Sequence, residues 1–195
     1  TLSISLLVLS VSGGGLSSLN AWADSYDFDD DNREVLKESI QSDAFSELPL
    51  HPEKHTITGN NDGTPIDGTR RDDIIIGSEF ADIMSGKAGS DVINGAVGAD
   101  TITGGDGDDT IQEADGSGQV YGKDGNDVIS GGFEPDYLSA GSGTDELYGA
   151  DDDDTLRGGS GADYFDCGFG FDTVVDFDSS EGDTHSADCE VIIEK

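Results

Sequence analysis

A nine-residue period is the feature that most limits what this chain can fold into. It runs without insertion from residue 68 to residue 175, as twelve units whose positions we number 1 to 9. Position 8 is apolar in all twelve units, position 1 is glycine in nine, and position 4 is glycine in eight. A period of this length, kept over so many units, indicates a repeat architecture in which each unit is one small structural element.

The period fits a short strand followed by a turn. The three residues around position 8 are expected to form the strand, with position 8 inward and its neighbours outward. Glycines at positions 1, 2 and 4 permit positive φ and close backbone approach in the turn. Two units then complete one turn of a coil with parallel strands, so the twelve units predict six turns. A degenerate thirteenth unit, with Ile66 at position 8, precedes them at 59–67.

Aspartate occupies position 6 in every unit except one, where Gly118 stands instead. The whole chain carries 43 acidic and 9 basic residues, a formal net charge of −34. Each strand buries one apolar side chain, worth ~1.5–3 kcal/mol. So thin a core does not offset both the charge repulsion and the entropy that is lost when the repeats become ordered. The fold therefore needs a cation.

Two units match a known motif closely. GGDGDDTIQ (104–112) and GGSGADYFD (158–166) fit the pattern G-G-x-G-x-D-x-U-x, where U is apolar. The chain thus resembles the RTX, or haemolysin-type, nonapeptide repeat proteins, and the resemblance implies an all-β parallel β-roll that binds calcium. Calcium takes six to eight oxygen ligands, whereas magnesium needs a tighter octahedron. Zinc prefers His and Cys, and the repeats contain no His and only Cys167.

The resemblance places each ion between the loops of two successive turns on one edge of the roll. One loop supplies the carbonyls of positions 2 and 4, the next supplies those of positions 1 and 3, and both supply the position-6 Asp. Gly105, Gly107 and Asp109 then meet Gly122, Asp124 and Asp127 around one ion. The metal-binding residues implied in this way are Asp73, Asp82, Gly86, Gly89, Asp91, Asp100, Gly104, Gly105, Asp106, Gly107, Asp109, Gly122, Asp124, Gly125, Asp127, Asp136, Gly141, Gly143, Asp145, Asp154, Gly158, Asp163 and Asp172.

Alternate units fall on opposite edges of such a roll. The first edge, made by the units that start at 68, 86, 104, 122, 140 and 158, keeps every position-6 Asp. The second edge, made by the units that start at 77, 95, 113, 131, 149 and 167, is degenerate. It has Phe80, Glu134 and Asp152 at position 4 and lacks the Asp at Gly118. We expect four or five calcium ions on the first edge and one to three on the second, about five to eight in all.

The N-terminal residues differ from the repeats. Residues 1–23 combine the apolar run LSISLLVLSV with the small residues AWA, as in a truncated secretory signal peptide that is cleaved after Ala23. A retained membrane anchor is the alternative, and no other segment is apolar enough to span a membrane. Residues 24–58 are expected to form an acidic leader and linker with one short helix near 33–45. The β-roll is expected to occupy 59–175.

Residues 176–195 are expected to cap the open end of the roll. Cys167 and Cys189 are the two cysteines of the chain, and in an exported protein an even count suggests a disulfide. Such a bond would tie the last unit to the cap; two free thiols are the alternative. The acidic residues between Asp176 and Asp183 are expected to form a solvated loop, with one more calcium site as the alternative.

Composition and motifs restrict the function. A chain this acidic is not suited to bind nucleic acid. It contains no H-E-x-x-H or G-x-S-x-G motif, so it is not expected to be an enzyme. We expect a secreted protein whose folding is coupled to calcium, with disorder confined to the metal-free chain. The alternatives are a calcium-stiffened adhesion protein of the cell surface or matrix, which contacts protein or glycan through outward tyrosines, and a detached secretion tail of a larger enzyme.

Overall fold

The computed structural model describes residues 55–59 and 61–195. The chain divides into two compact units, 1–51 and 52–195, and the described residues belong to the second. The predicted signal segment and the predicted helix near 33–45 lie outside the described residues.

The described residues form sixteen β-strands and no helix. The strands are β1 (His55–Thr58), β2 (Ile66–Asp67), β3 (Asp73–Ile76), β4 (Ile83–Ala88), β5 (Val92–Val97), β6 (Thr101–Asp106), β7 (Thr110–Asp115), β8 (Gln119–Asp124), β9 (Val128–Phe133), β10 (Tyr137–Ser142), β11 (Glu146–Asp151), β12 (Thr155–Ser160), β13 (Tyr164–Phe169), β14 (Thr173–Phe177), β15 (Thr184–His185) and β16 (Val191–Glu194). Across 55–59 and 61–195 there is accordingly no apolar helix of the length that a membrane crossing requires.

The strands alternate between two parallel sheets. The odd-numbered strands form one eight-stranded sheet in chain order, and the even-numbered strands form the other. Neighbouring strands of a sheet pair at a spacing of 18 residues through most of the roll, as Ile102 does with Val120. The chain therefore winds as a coil of eight turns, each of which adds one strand to each sheet. The predicted all-β parallel solenoid is confirmed.

The roll is longer than the six turns that the regular units predict. Strand β1 pairs with β3, although the sequence analysis placed it in the linker. Strands β15 and β16 pair with β13 and β14, in the segment expected to be a cap. These strands do not repeat the glycine and aspartate spacing. Their register comes from backbone pairing with the adjacent regular strand, and Ile57 and Ile192 pack against the core.

A single column of position-8 side chains runs through the roll, as the period predicts. All twelve of these residues are buried: Ile75, Met84, Ile93, Ile102, Ile111, Val120, Ile129, Leu138, Leu147, Leu156, Phe165 and Val174. The regular strands are six residues long rather than three, because each continues through positions 1 to 3 of the next unit. Since side chains alternate along a strand, position 1 faces inward as position 8 does.

Glycine at position 1 leaves room for the aspartate of the same unit. A Cβ on Gly104 would lie 2.2 Å from Asp109 Oδ2, and one on Gly122 would lie 2.1 Å from Asp127 Oδ2. The position-6 side chain therefore folds back over position 1 of its own unit. This contact explains why most units have glycine there. The predicted reasons were positive φ and close backbone approach, and neither Gly104 nor Gly122 has a positive φ.

The predicted disulfide is present. Cys167 and Cys189 are bonded, with their Cα atoms 5.1 Å apart. Cys167 occupies position 1 of the last regular unit within β13, and Cys189 lies between β15 and β16. The bond thus holds the last two strands against the regular part of the roll.

Candidate metal centre

A row of aspartates runs along the first edge, linked from turn to turn by hydrogen bonds. The main-chain N–H of each position-6 Asp donates to Oδ1 of the equivalent residue one turn further on. The donor–acceptor distances are 2.7 Å for Asp73 to Asp91, 2.8 Å for Asp91 to Asp109, 2.9 Å for Asp109 to Asp127, 2.8 Å for Asp127 to Asp145, 3.0 Å for Asp145 to Asp163 and 3.0 Å for Asp163 to Asp183. The structure therefore brings the predicted carboxylates of this edge together in one line.

The turns owe their shape to positive φ at positions 2 and 4. Gly105 and Gly107 have φ of 132° and 120°, which glycine adopts without steric cost. These angles turn the chain so that the Asp109 side chain points back into the roll, where it is buried. Successive turns also approach closely, because a Cβ on Gly125 would lie 2.2 Å from the carbonyl oxygen of Gly107. The carbonyl of position 4 therefore faces the next turn on the same edge.

The second carboxylate oxygen is the unusual feature of this row. In Asp109, Asp127, Asp145 and Asp163, Oδ2 is buried and accepts no hydrogen bond. Burial of a carboxylate oxygen without a donor is costly and favours the protonated form. Burial raises the pKa of Asp109 to about 7 against the lowering effect of the Asp91 N–H, and the charges of Asp127 and Asp91 raise it further.

The other three aspartates of this group behave in the same way. Burial raises the pKa of Asp127, Asp145 and Asp163 to about 6, and a backbone hydrogen bond to each carboxylate partly opposes this shift. Without a cation, the folded chain must hold either a proton or an unfavourable charge at each of these positions.

Asp73 and Asp82 differ from the aspartates that follow. Oδ2 of Asp73 accepts the Thr69 N–H at 2.6 Å, and Oδ2 of Asp82 accepts the Ser78 N–H at 2.7 Å. Thr69 and Ser78 occupy position 2 without the positive φ of later units, so their N–H groups point at the carboxylate. Both aspartates were predicted as metal ligands, but here the chain itself supplies donors to their oxygens.

A second row of carboxylates runs along the second edge. The N–H of Asp82 donates to Asp100 at 2.8 Å, that of Asp136 to Asp154 at 2.8 Å, and that of Asp154 to Asp172 at 2.7 Å. Oδ2 is buried and without a hydrogen bond in Asp100, Asp136, Asp154 and Asp172. Burial raises the pKa of these four residues, to about 7 in Asp154 and about 6 in Asp100 and Asp136.

Glu113 lies in the second row at the place where Gly118 leaves no aspartate side chain. Glu113 is fully buried, and its Oε1 accepts the Asp100 N–H at 3.4 Å. The Gly118 N–H donates to Asp136 Oδ1 at 2.7 Å, as an aspartate N–H would. Glu113 was not among the predicted site residues. The signal that could have found it is the pair of exceptions within one unit, a carboxylate at position 1 and a glycine at position 6.

Two turns of the second edge keep their shape although position 4 is not glycine, whereas Phe80, the third exception, has no positive φ. Glu134 and Asp152 adopt φ of 64° and 75°, in the region that glycine occupies elsewhere. Two sequence differences suggested fewer ions on the second edge: the missing Asp at Gly118 and the altered position 4 at Glu134 and Asp152. In the structure, the carboxylate row and the backbone of these turns stay close to those of the regular units. The asymmetry in ion number stays a prediction.

Both rows continue past the last regular unit. The N–H of Asp163 donates to Asp183 Oδ1, as given above, and the N–H of Asp172 donates to Glu190 Oε2 at 3.0 Å. Asp183 is buried, and its Oδ2 accepts the Asp178 N–H at 2.7 Å. The acidic segment after Asp176 therefore contributes Asp183 to the first row, while residues 179–182 are exposed, as predicted for a solvated loop.

The side chains of Asp106 and Asp124 lie elsewhere. Both are exposed at position 3, and they are in register with one another on neighbouring strands. Asp124 Oδ1 accepts the Ser142 hydroxyl at 3.0 Å. These two residues were predicted as ligands through their main-chain carbonyls, and the structure keeps their carboxylates out of the buried row.

The donor set fits a hard cation such as calcium. Every buried side-chain atom without a hydrogen bond in the two rows is a carboxylate oxygen. Calcium binds oxygen ligands in flexible geometry. Nowhere in the described part of the chain do three His, Cys, Asp or Glu side chains converge on one point. Side chains alone therefore do not complete a cage, and main-chain carbonyls such as that of Gly107, which faces the next turn, would have to supply the remaining ligands of an ion.

Comparison with known proteins agrees with this geometry. The family model of the RTX calcium-binding nonapeptide repeat matches the chain in four copies, at residues 67–102, 76–111, 121–156 and 139–174, which together cover about half of the chain. No curated protein and no solved structure matches it. Such repeats bind several calcium ions. The chain belongs to the RTX calcium-binding nonapeptide repeat family.

Proposed function

We propose that this chain is a secreted calcium-binding protein whose β-roll folds when calcium binds between successive turns. The observation that carries the proposal is the pair of rows of buried carboxylates with one oxygen unpartnered. In the metal-free chain these groups and the net charge of −34 oppose folding. Calcium stabilises the folded state and not the unfolded state, because the carboxylates and turn carbonyls come together only in the folded chain.

The residues that would hold one ion on the first edge are those of two successive turns. Asp109 and Asp127 supply carboxylate charge, and the carbonyls of Gly105, Gly107 and Gly122, with that of Asp124, supply neutral oxygens. Two observations support this set: the Oδ2 atoms of Asp109 and Asp127 are buried without a hydrogen bond, and the Gly107 carbonyl faces the next turn. Calcium, when bound, neutralises the carboxylates and joins neighbouring turns. Repetition of this arrangement gives the expected five to eight ions per chain, a number that rests on the ligand count.

Secretion is supported by the disulfide and by the N-terminal sequence. A disulfide such as Cys167–Cys189 persists in oxidising compartments. The apolar run at 2–11 with AWA at 21–23 resembles a secretory signal. Extracellular calcium at millimolar concentration would then act as the folding signal, since the chain meets it only after export. This order keeps the acidic chain unfolded during transport.

A calcium titration of the full chain tests the proposal. Far-UV circular dichroism would follow β-structure, and equilibrium dialysis would count bound ions, with magnesium in place of calcium as the control. We expect a transition from coil to β-structure with several calcium ions bound and no transition with magnesium. A chain that is fully folded without metal at neutral pH, or that stays unfolded at millimolar calcium, would contradict the proposal.

A second candidate function is adhesion on the outer sheet faces, with calcium only stiffening the roll. The observation that favours it is a set of paired tyrosines. The ring centroids of Tyr121 and Tyr137 are 6.0 Å apart, and those of Tyr148 and Tyr164 are 6.3 Å apart. Tyrosine combines an apolar ring with a polar hydroxyl, which suits contact with protein or glycan. Loss of retention on a glycan array or matrix protein in a Tyr121→Ser/Tyr137→Ser variant that still folds with calcium would support this alternative.

A further inference from the structure

In one unit of the second edge, the glycine of position 1 and the acidic residue of position 6 have exchanged places. In residues 113–121 position 1 is Glu113 where most units have glycine, and position 6 is Gly118 where every other unit has aspartate. None of the four matched copies of the family repeat covers residues 112–120. By the usual pattern, this unit has lost its metal ligand.

The geometry shows that the two exceptions compensate for one another. A Cβ on Gly118 would lie 2.4 Å from Cγ of Glu113 and 2.6 Å from its Oε1. In a regular unit the relation is reversed: a Cβ on Gly104 at position 1 would meet Asp109 Oδ2 at position 6. The glutamate side chain therefore fills the space that an aspartate at position 6 fills elsewhere, reaching it from the opposite side.

The glutamate carboxylate also has the contacts of the aspartates in the row. Its Oε1 accepts the main-chain N–H of Asp100 from the preceding turn of the same edge, at 3.4 Å, which is longer than the 2.9 Å bond between Asp109 and Asp127. Its Oε2 is buried, accepts no hydrogen bond and belongs to a side chain with no exposed surface. One oxygen is thus used within the protein and the other is left without a donor, as in Asp100 and Asp136 on either side.

A purely structural role does not explain this choice of residue. A glutamine would fill the same volume and accept the same Asp100 N–H with its amide oxygen, and it would bury a neutral NH2 group in place of a charged oxygen. What glutamate adds is a second anionic oxygen inside the roll, and that oxygen is unfavourable there unless a cation meets it.

We propose that Glu113 is a calcium ligand that replaces the missing position-6 aspartate, so that the ion-binding row of the second edge runs unbroken through this unit. The inference rests on the proposed function, because it assumes that the row binds calcium at all. It raises the number of competent turns on the second edge, where the sequence predicted a gap. It also identifies position 1 as a second place, besides position 6, from which this fold can supply a carboxylate ligand.

Calcium stoichiometry of four full-length proteins tests the inference by equilibrium dialysis, with circular dichroism to verify folding. They are the wild type, Glu113→Gln, the reciprocal double variant Glu113→Gly/Gly118→Asp, and Glu146→Gln as a control with the same charge change at an exposed strand position. We expect Glu113→Gln to bind at least one ion fewer than the wild type. The double variant and Glu146→Gln should bind the wild-type number.

Equal ion numbers and equal affinities in Glu113→Gln and the wild type would overturn the inference while leaving the proposed function intact. A wild type that binds no calcium would overturn both. If Glu113→Gln does not fold even at high calcium, the double variant is compared with Glu113→Gly/Gly118→Asn, which differs only in the charge of the restored side chain. One ion fewer in the asparagine version supports a calcium site at this turn, and equal numbers refute it.

Discussion

The main-chain N–H of Asp109 donates a 2.9 Å hydrogen bond to Oδ1 of Asp127, one turn further along the roll. The bond holds the Asp127 carboxylate in a fixed orientation against the Asp109 backbone and leaves Oδ2 buried and unpartnered. The same bond recurs along both edges of the roll. Each turn thus positions a carboxylate of the next turn, and the arrangement that would bind an ion also links neighbouring turns.

Replacement of Asp127 by asparagine separates these two roles. The amide oxygen can still accept the Asp109 N–H, so the turn-to-turn hydrogen bond is kept while the charge is lost. We expect the variant to bind at least one ion fewer and to need roughly tenfold more calcium to fold, because calcium affinity depends on ligand charge. A calcium titration followed by circular dichroism, with ion counting by dialysis, measures both.

Asp106→Asn is the matched control for this change. It lies on the same edge and removes the same charge, but its side chain is exposed and its main-chain carbonyl is retained. We expect it to bind the wild-type number of ions. If the two variants shift the calcium midpoint equally, the buried row has no special role and only the overall charge matters.

Most of the architecture could be predicted from the sequence because a side chain marks each repeated constraint. The apolar residue at position 8 and the aspartate at position 6 each have one environment in the fold, so their spacing fixes strand pairing and turn position. The length of the strands could not be predicted in this way. Position 1 faces inward, but it is mostly glycine, and a residue without a side chain carries no inward or outward signal.

The ends of the roll and the role of Glu113 escaped prediction for related reasons. Strands β1, β15 and β16 take their register from a preformed neighbour, so their own sequences need not repeat the motif. Glu113 was overlooked because positions 1 and 6 were considered separately, whereas in space the two positions share one volume. Only the three-dimensional contact between them shows that a carboxylate lost at one position is restored at the other.

The metal-free chain should become more stable as the pH falls from about 7 to about 4. The pKa of Asp109 and Asp154 is raised to about 7 in the fold, against an ordinary value of ~3.9. The folded state therefore binds more protons than the unfolded state in this range. The stabilisation is complete below the unfolded pKa and is lost as the pH rises through the folded pKa. Far-UV circular dichroism of the metal-free chain at several pH values, which measures the folded fraction, tests this expectation.

Two further measurements identify the source of that pH dependence. In 1 M salt, where the Debye length is about 3 Å, repulsion between exposed charges is screened while the effect of the buried carboxyls persists. With calcium present the trend should reverse, because protons compete with the ion for the same oxygens. A metal-free chain that is less stable at pH 4 than at pH 7 in high salt would rule out the buried rows as the cause.

Two alanine-to-glycine changes should alter stability in opposite directions. Ala150 occupies position 2 with φ of 88°, a region that costs a non-glycine residue ~1–2 kcal/mol. Glycine relieves this strain, but its greater conformational entropy also stabilises the unfolded chain by ~0.4–1 kcal/mol. We expect Ala150→Gly to raise the free energy of unfolding by about 0.5–1 kcal/mol in saturating calcium, as measured by urea unfolding.

Ala140→Gly is the matched control, because Ala140 is buried at position 1 and has no positive φ. The change removes a methyl group from the core and also adds unfolded-state entropy, so we expect a loss of about 1–2 kcal/mol. Equal effects of the two changes would mean that the positive φ of position 2 carries no strain in this fold.

Removal of the disulfide should loosen the C-terminal end of the roll first. Cys167 and Cys189 are separated by 22 residues, and closing a loop of that size in the unfolded chain is worth about 3 kcal/mol in the chain-entropy picture. We expect Cys167→Ala/Cys189→Ala to lose about that much stability in saturating calcium. Amide hydrogen exchange should rise most in β15 and β16, because the bond holds these strands against β13. Reductant should lower the stability of the wild type by a similar amount and leave that of the double variant unchanged. If the reduced wild type and the double variant are both as stable as the oxidised wild type, the strand pairing suffices without the bond.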